Sequence, residues 1–293
     1  MDNSGNSKEA EGISVIIPVY NEEQAVCDVI LRLRDVLQEK GLLYEILAID
    51  DGSTDDSCGA ICASGVATLI KHPFNRGYGA ALKTGIRRAR YERVAIIDAD
   101  GTYAPEGILT LLEHWGDNDM VVGARIGADV AIPLVRRPAK WALNQVANFL
   151  AGVQIPDLNS GLRLFKKSIV LQFFTILPSG FSFTTTITLA MLSNDYLVAY
   201  VPVPYFPRVG SSKIRPIRDT LTFLTLILRT IMYYAPLKVF VPVSLVFLLI
   251  GLVKGTYDVV TTLMVTKSDL LLLVTGAIIG MMGLLADLID KRS

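Results

Sequence analysis

Asp98-Ala99-Asp100 stands where the apolar run Val94-Ala95-Ile96-Ile97 ends. Two carboxylates one residue apart can share a hard cation such as Mg²⁺ or Mn²⁺ if the backbone turns there, because such ions take oxygen ligands. A cation held in this way neutralises the charge of a diphosphate. Taken alone, the pair reads equally well as a solvated acidic turn, and its place at a strand end is what favours a ligand site. A second acidic group, Asp50-Asp51-Gly52-Ser53-Thr54-Asp55, admits two readings of equal weight. It is either a turn in which Ser53 or Asp55 caps the following helix, or a pair of carboxylates placed to accept hydrogen bonds from a nucleobase edge or a ribose. His72 and His114 read as ordinary loop and helix residues, and Trp115 and Trp141 suggest no chemistry.

These groups act together only if a scaffold brings them to one rim. From Ile13 to about Val203 the sequence alternates short β-branched runs with longer helical patterns, the signature of an α/β domain with a largely parallel sheet. The predicted strands are Ser14 to Pro18, Tyr44 to Asp50, Ala67 to Lys71, Val94 to Asp98 and Met120 to Ala124. Predicted helices cover Glu23 to Gly41, with Lys40 in the last turn and Gly41 beyond it, then Asp55 to Ser64 and Gly79 to Arg90. In doubly wound sheets ligands bind outside the carboxyl ends of the strands. Pro18-Val19-Tyr20-Asn21-Glu22 follows the first strand, the Asp50 group the second and the Asp98 group the fourth, so three acidic loops share that rim.

The chain has 293 residues and is 51% hydrophobic, with 28 Lys+Arg against 28 Asp+Glu. That balance gives no argument for a nucleic-acid partner. Cys27, Cys58 and Cys62 form neither a paired framework nor a zinc spacing and read as reduced thiols. Met1 to Gly12 is polar, lacks a signal-peptide core and reads as a disordered leader. Beyond Arg218 the composition changes. Thr220 to Tyr234, carrying Arg229, suits an amphipathic helix on a membrane surface. Leu237 to about Val260 and Leu270 to Ile289 each approach the ~20 residues that cross a bilayer. Arg208, Lys213, Arg215, Arg218 and Arg229 precede them and Lys291-Arg292 follow, which places both termini in the cytoplasm and a short loop with Lys254 and Lys267 outside. A hairpin buried in a soluble core is the plain alternative, but Leu270 to Leu285 has no charged residue and only Thr275 as a polar side chain. Such a hairpin could self-associate as a homo-oligomer, although no small-residue motif compels it.

The order and spacing of Pro18-Val19-Tyr20-Asn21-Glu22, Asp50-Asp51-Gly52-Ser53, Asn75-Arg76-Gly77-Tyr78-Gly79 and Asp98-Ala99-Asp100 resemble the family 2 inverting glycosyltransferases with the GT-A fold. Asp157-Leu158-Asn159-Ser160-Gly161-Leu162-Arg163 and Arg208-Val209-Gly210-Ser211-Ser212-Lys213 narrow the resemblance to the polyprenyl-phosphate branch, similar to dolichol-phosphate mannose synthases and bacterial undecaprenyl-phosphate glucosyltransferases. It implies a disordered leader (1–12), a mostly parallel α/β GT-A catalytic domain (13–212), juxtamembrane amphipathic helices (213–235) and a two-helix transmembrane hairpin (236–293).

The resemblance also implies roles. Pro18, Tyr20 and Glu22 would line the nucleotide pocket, Tyr20 offering a face for base stacking. Asp50 and Asp51 would hold the nucleoside, and Arg76, Gly77 and Gly79 would bring a basic loop close to it. Asp98 and Ala99 would meet the nucleotide sugar, with Asp98 orienting the sugar or the metal shell and Asp100 ligating Mg²⁺ or Mn²⁺. Arg125 and Arg163 would face the sugar diphosphate and the acceptor phosphate, one of them oriented by Asp157, unless they are surface ion-pair partners. Ser160, Arg163, Arg208, Ser212 and Lys213 would take the acceptor phosphate, unless the basic run binds anionic lipid nonspecifically. The dolichol enzymes carry a Gln two positions after the second Asp, where this chain has Thr102, so Thr102 is doubtful as a direct ligand. The implied reaction moves one hexose from a UDP- or GDP-linked donor to a polyprenyl phosphate. Its rivals are a processive polysaccharide synthase, which would need more spans and a Gln-x-x-Arg-Trp motif, and a noncatalytic lipid-binding scaffold. Sugar, nucleotide and polyprenol type are left open.

Overall fold

A computed structural model describes residues 12–125, 152–180, 182–208 and 236–290, together with Gln145, Asn148 and Met232. Its elements are β1 (Ile13–Val19), α1 (Val26–Glu39), β2 (Tyr44–Asp50), α2 (Ser57–Ser64), β3 (Thr68–Lys71), α3 (Tyr78–Arg88), β4 (Arg93–Ile96), α4 (Gly107–Glu113), β5 (Met120–Arg125), β6 (Arg163–Lys166), α5 (Lys167–Gln172), α6 (Phe183–Ser193), β7 (Val198–Val203), α7 (Leu237–Thr262) and α8 (Lys267–Asp290). The expected leader up to residue 11, the amphipathic stretch from Thr220 to Tyr234 apart from Met232, and Ser212 and Lys213 lie outside the described residues.

One sheet runs in the order β3-β2-β1-β4-β6-β5-β7. Every neighbour pair is parallel except those made by β6, which runs antiparallel to both β4 and β5. Side chains alternate along β1 as a strand's two-residue period requires. Val15, Ile17 and Val19 pack with Val26, Ile30 and Leu33 of α1 on one face. Ile16 packs with Ala81, Leu82 and Ile86 of α3 on the other. A strand buried on both faces reads as an unbroken apolar run, which is why β1 and β2 are conspicuous in the sequence.

Pro18 within this central strand looks like an exception, because proline cannot donate to a ladder. The register resolves it. Pairing of β1 with β4 ends at Ile16↔Ile96, and the Ile97 N–H closes it by donating to the Ile16 carbonyl (3.1 Å). Residue 18 points to that same side, past the last β4 bond, so no donor is lost.

All five predicted strands form, but β6 and β7 were not among those expected. β6 is four residues long and opens on Arg163, whose charge hides it from an apolar pattern. β7 contains Pro202 and lies at the sheet edge, where proline is tolerated.

A buried ion pair clasps the segment before β6 to the end of β5. Arg125 donates from Nε to Asp157 Oδ2 (2.6 Å) and from Nη2 to Oδ1 (2.8 Å), a two-pronged geometry that only a guanidinium supplies. Its own backbone N–H adds a third bond to Oδ2 at 3.1 Å.

α7 and α8 form an antiparallel hairpin closed by small residues. A side chain at Gly276 would meet Leu248, one at Gly280 would meet Ser244, and one at Gly283 would meet Phe240. The Ser244 hydroxyl donates to the Gly276 carbonyl (2.7 Å). Small-residue spacing, which the sequence did not single out, is therefore present and is used inside the hairpin. Lys254 does not stand in the connecting loop as expected but within α7, paired with Asp258 and with the fully buried Asp269, both at 2.7 Å. Among the described residues only 11% of each apolar window is buried against protein, unlike a helix in a soluble core. Each helix is long enough to cross a bilayer, and lipid is the solvent that suits its outward Leu, Val and Ile side chains.

The Arg125–Asp157 clasp makes stability pH-dependent. Burial by itself raises the Asp157 pKa, but the Arg125 hydrogen bonds and charge overcome it, so the folded value lies below the ordinary one. A carboxylate depressed in the folded state stabilises the protein above its unfolded pKa of ~4 and loses that contribution as pH falls through the folded value. Asp157→Asn should therefore lower stability by roughly 2–3 kcal/mol near neutral pH, and the gap from wild type should close below pH ~4. Tryptophan-fluorescence unfolding in detergent across pH checks both.

Candidate active site

The site forms where β1, β2 and β4 end. Just beyond β4 the chain enters Asp98-Ala99-Asp100 with Ala99 buried in the core, which anchors the turn and sets the two carboxylates on either side of it. Ala99 therefore contributes no side chain to a sugar pocket. The Tyr78 hydroxyl donates to Asp98 Oδ1 (2.9 Å). On its other side, a Cβ at Gly161 would lie 2.0 Å from Asp98 Oδ2, so only glycine fits there. Burial, and secondarily the charge of Asp100, push the Asp98 pKa up to about 6, against the lowering influence of Tyr78, Arg125 and Arg208. Asp100 is held by Thr102, whose N–H and hydroxyl both donate to Oδ1 (3.1 and 2.6 Å). Thr102 is itself buried, so it orients Asp100 rather than offering a ligand of its own.

A strap following β7 covers this pair. Tyr205 bridges to Tyr103, their rings meeting edge to face at 5.2 Å, and the Phe206 N–H donates to the Thr102 carbonyl (2.9 Å). The Arg125 guanidinium lies over the Tyr205 ring at 5.2 Å. The strap delivers Arg208 between two acidic groups. Its Nη2 pairs with Glu22, and its Nε stands 3.5 Å from Asp100 Oδ2.

The loops after β1 and β2 knit together. Asn21 in a left-handed conformation (φ 54°) donates its N–H to Ser53 Oγ (3.0 Å) and accepts from the Thr54 N–H (2.8 Å). The Glu22 N–H donates to Ser57 Oγ (2.8 Å), and Asp55 accepts from Ser57 as a helix-start residue. The N-cap of α2 is Asp56 and not Ser53 or Asp55, and it makes no side-chain capping bond. Asp50 is fully buried, accepting from the Ser53 N–H (3.1 Å) and the Cys58 thiol (3.1 Å). Asp51 Oδ1 meets His72 Nδ1 (2.6 Å) and the Arg76 N–H (3.0 Å), and Oδ2 accepts from the Gly77 N–H (2.7 Å). Both carboxylates are thus bonded within the fold, Asp50 to its own turn and Asp51 to the loop that leads into α3. His72 is likewise no ordinary loop residue: it is buried and bonded to both Asp51 and Thr84.

Other expected residues are held within the fold. Pro18 is buried in β1. Gly77 (φ +100°) and Gly79 are required because a Cβ at either would strike the carbonyl of Ser179 or Pro178. Arg163 is fully buried and satisfied within the fold, by the Ser160 carbonyl (2.8 Å), the Leu158 carbonyl (3.0 Å) and Thr188 Oγ1 (2.5 Å). Ser160 is buried with its hydroxyl on the Gly123 carbonyl (2.5 Å). Both side chains are closed off from solvent. The half-buried Tyr20 and the exposed Arg76 keep surface at the rim. Among the described residues no group of three or more Asp, Glu, His or Cys side chains is placed to hold a metal ion. Tyr78, Tyr103 and Tyr205 were missed as site residues. Only Tyr78 carried a signal, its place in the Gly77-Tyr78-Gly79 motif.

Residues 14–174 match the family model described as glycosyl transferase family 2, and residues 235–291 match the GtrB C-terminal hairpin. A low-salt glycan biosynthesis hexosyltransferase of Haloferax volcanii is 27% identical over 74% of this chain, which spans only 53% of that relative's length. A dolichyl-phosphate hexose transferase of the same organism is 28% identical, over 70% of this chain and 88% of its own. Among solved structures, glucosyl-3-phosphoglycerate synthase of Mycobacterium tuberculosis in complex with Mg²⁺ and UDP superposes with a TM-score of 0.59 at 22% identity, covering 77% of this chain and 81% of the other. That likeness carries the GT-A fold. With the matched model covering more than half of its length and the acidic pair at the end of β4, this chain belongs to glycosyl transferase family 2.

Proposed function

We propose that this protein moves a single hexose from a nucleotide sugar to a polyprenyl phosphate at a membrane surface. The observation that carries the reading is the convergence of the Asp98–Asp100 pair with Arg208 on one rim, in a chain that goes on to form an apolar hairpin. The acidic pair suits a phosphorylated donor, the cation suits an anionic acceptor, and the hairpin suits an acceptor that lives in lipid. The name of the dolichyl-phosphate hexose transferase relative supports the same class.

Asp98 and Asp100 fit a hard divalent ion, since both offer carboxylate oxygens and the repulsion between them is what such an ion relieves. They would hold Mg²⁺ or Mn²⁺, which when bound supplies charge neutralisation for the departing nucleoside diphosphate. The protein's own groups do the rest. Tyr78 and Thr102 fix the two carboxylates, Tyr20 offers a ring to the base, and Arg76 offers a charge at the rim. Arg125, committed to Asp157, contributes a fixed positive field. Arg208, with Ser212 and Lys213 beyond it, would receive the acceptor phosphate. A phosphate monoester has its second pKa near ~6 and is largely dianionic at neutral pH, so its oxygen can attack the anomeric carbon with inversion and no general base. Positioning and charge neutralisation are then the catalytic means.

The basic residues from Arg208 to Arg229 favour a cytoplasmic catalytic domain with both termini on that side.

Purified protein in detergent, given a panel of labelled UDP- and GDP-sugars with Mg²⁺ or Mn²⁺ and polyprenyl phosphate, should yield label in an organic-extractable product. Asp100→Ala should lower transfer by on the order of 10²-fold, and chelation by EDTA should abolish it. Absence of transfer from every donor would overturn the reading. Topology is checked separately. Cys62 is exposed on the catalytic domain, so a membrane-impermeant maleimide should leave it unlabelled in intact cells and label it after lysis.

A further inference from the structure

Arg208 holds a position that serves two purposes in conflict. Its Nη2 is anchored by Glu22, while its Nε sits 3.5 Å from the one Asp100 oxygen, Oδ2, that Thr102 does not bind. At that distance the contact is Coulombic and not a hydrogen bond, and the Nε is shut off from solvent with no hydrogen-bond partner. A buried donor left in this state is a contact easily surrendered to something better. The positive charge of Arg208 faces the carboxylate pair from the strap side, where it partly offsets the repulsion between Asp98 and Asp100.

The strap and the acidic turn are also joined mechanically. Thr102 grips Asp100 through its N–H and hydroxyl, and through its carbonyl it accepts the Phe206 N–H (2.9 Å), two residues before Arg208. Tyr205, bridged to Tyr103, lies on the same short segment and stacks against Arg125. A shift of Asp100 toward a ligand therefore pulls on the segment that carries Arg208. A continuous chain of bonds thus joins the acidic turn to the segment that carries Arg208, a path along which coupling can travel.

We infer that Arg208 is an internal stand-in cation for the Asp98–Asp100 pair, and that occupation of the pair by a divalent ion and donor diphosphate releases it to bind the acceptor phosphate. The inference rests on the function proposed above and adds to it a coupling between the Asp98–Asp100 pair and Arg208. Reciprocity follows from linkage, since whatever draws Arg208 away from Asp100 must tighten the hold of the pair on its cation by the same factor. Before the donor binds, the guanidinium is engaged and the acceptor phosphate meets a weakened site. After it binds, Arg208 keeps only its Glu22 anchor and presents its remaining donors outward. The acceptor would then engage more tightly when a sugar is in place to be transferred.

The test is cation binding and does not depend on turnover. Mn²⁺ bound to the full-length protein in detergent with saturating UDP is measured from the loss of the free-ion electron paramagnetic resonance signal. Arg208→Ala should bind Mn²⁺ more tightly than wild type, by about fivefold or more, although a phosphate-binding arginine has been removed. Farnesyl phosphate should tighten Mn²⁺ binding to wild type by a similar factor and leave Arg208→Ala unmoved. Arg208→Lys, which keeps the charge, should stay near wild type. Equal or weaker Mn²⁺ binding in Arg208→Ala, or no response of wild type to farnesyl phosphate, overturns the inference while leaving the transferase reading intact. Failure of wild type to bind Mn²⁺ with UDP at all would overturn the metal-assisted reading, and the inference with it.

Discussion

Two like charges set side by side at the end of one strand are the constraint on which this architecture turns. Asp98 and Asp100 repel each other, and burial of Asp98 makes its charged form costlier still. Nothing in β4 itself offsets that cost. The offset comes from the surroundings: a phenol from the start of α3, a hydroxyl and N–H from Thr102, a fixed guanidinium at the end of β5 and a second guanidinium on the strap. Each contributor belongs to a different element, so the site is assembled only when the whole sheet is in register. Elements that look remote from the chemistry, such as β6 and its short preceding turn, serve it by packing Gly161 against Asp98.

Several residues of the motifs hold loops together. Asp51 gathers His72 and the backbone of Arg76 and Gly77 around one carboxylate, and this fixes the entrance of α3, from which Tyr78 reaches Asp98. Asp50 ties its own turn to α2. Arg163 pins the Leu158 and Ser160 carbonyls from within the sheet. Buried polar groups are costly unless fully bonded, and these are bonded, so they specify one loop arrangement. The polar residues that keep surface for a ligand, Tyr20, Arg76 and Arg208, lie at the rim.

The hairpin follows a different logic. In lipid no hydrophobic gain drives helix against helix, so close contact at small residues and a few polar bonds must do it. Gly276, Gly280 and Gly283 let α7 approach α8, Ser244 bonds across the interface, and the Lys254–Asp258–Asp269 group closes the far end with its charges satisfied. Its apolar outer face has little protein against it among the described residues, as a face turned to lipid would.

The sequence by itself determined the parallel strands, the rim on which the acidic loops meet and the two apolar spans. Those features rest on local periodicity and on the rule that strand carboxyl ends face one way, and both are written in consecutive residues. Tertiary structure alone decided which polar side chains look outward. Arg125 and Arg163 carry the same charge in similar motif settings, yet one flanks the site, clasped by Asp157, and the other is sealed in the core beneath α6. β6 was hidden because its reversal and its charged first residue obey long-range packing rather than local pattern. The strap was hidden for the same reason: Tyr205 and Arg208 meet Tyr103, Glu22 and Asp100 only after the sheet has closed. Contacts between residues so far apart in the chain depend on burial and register, and no spacing along the chain encodes them.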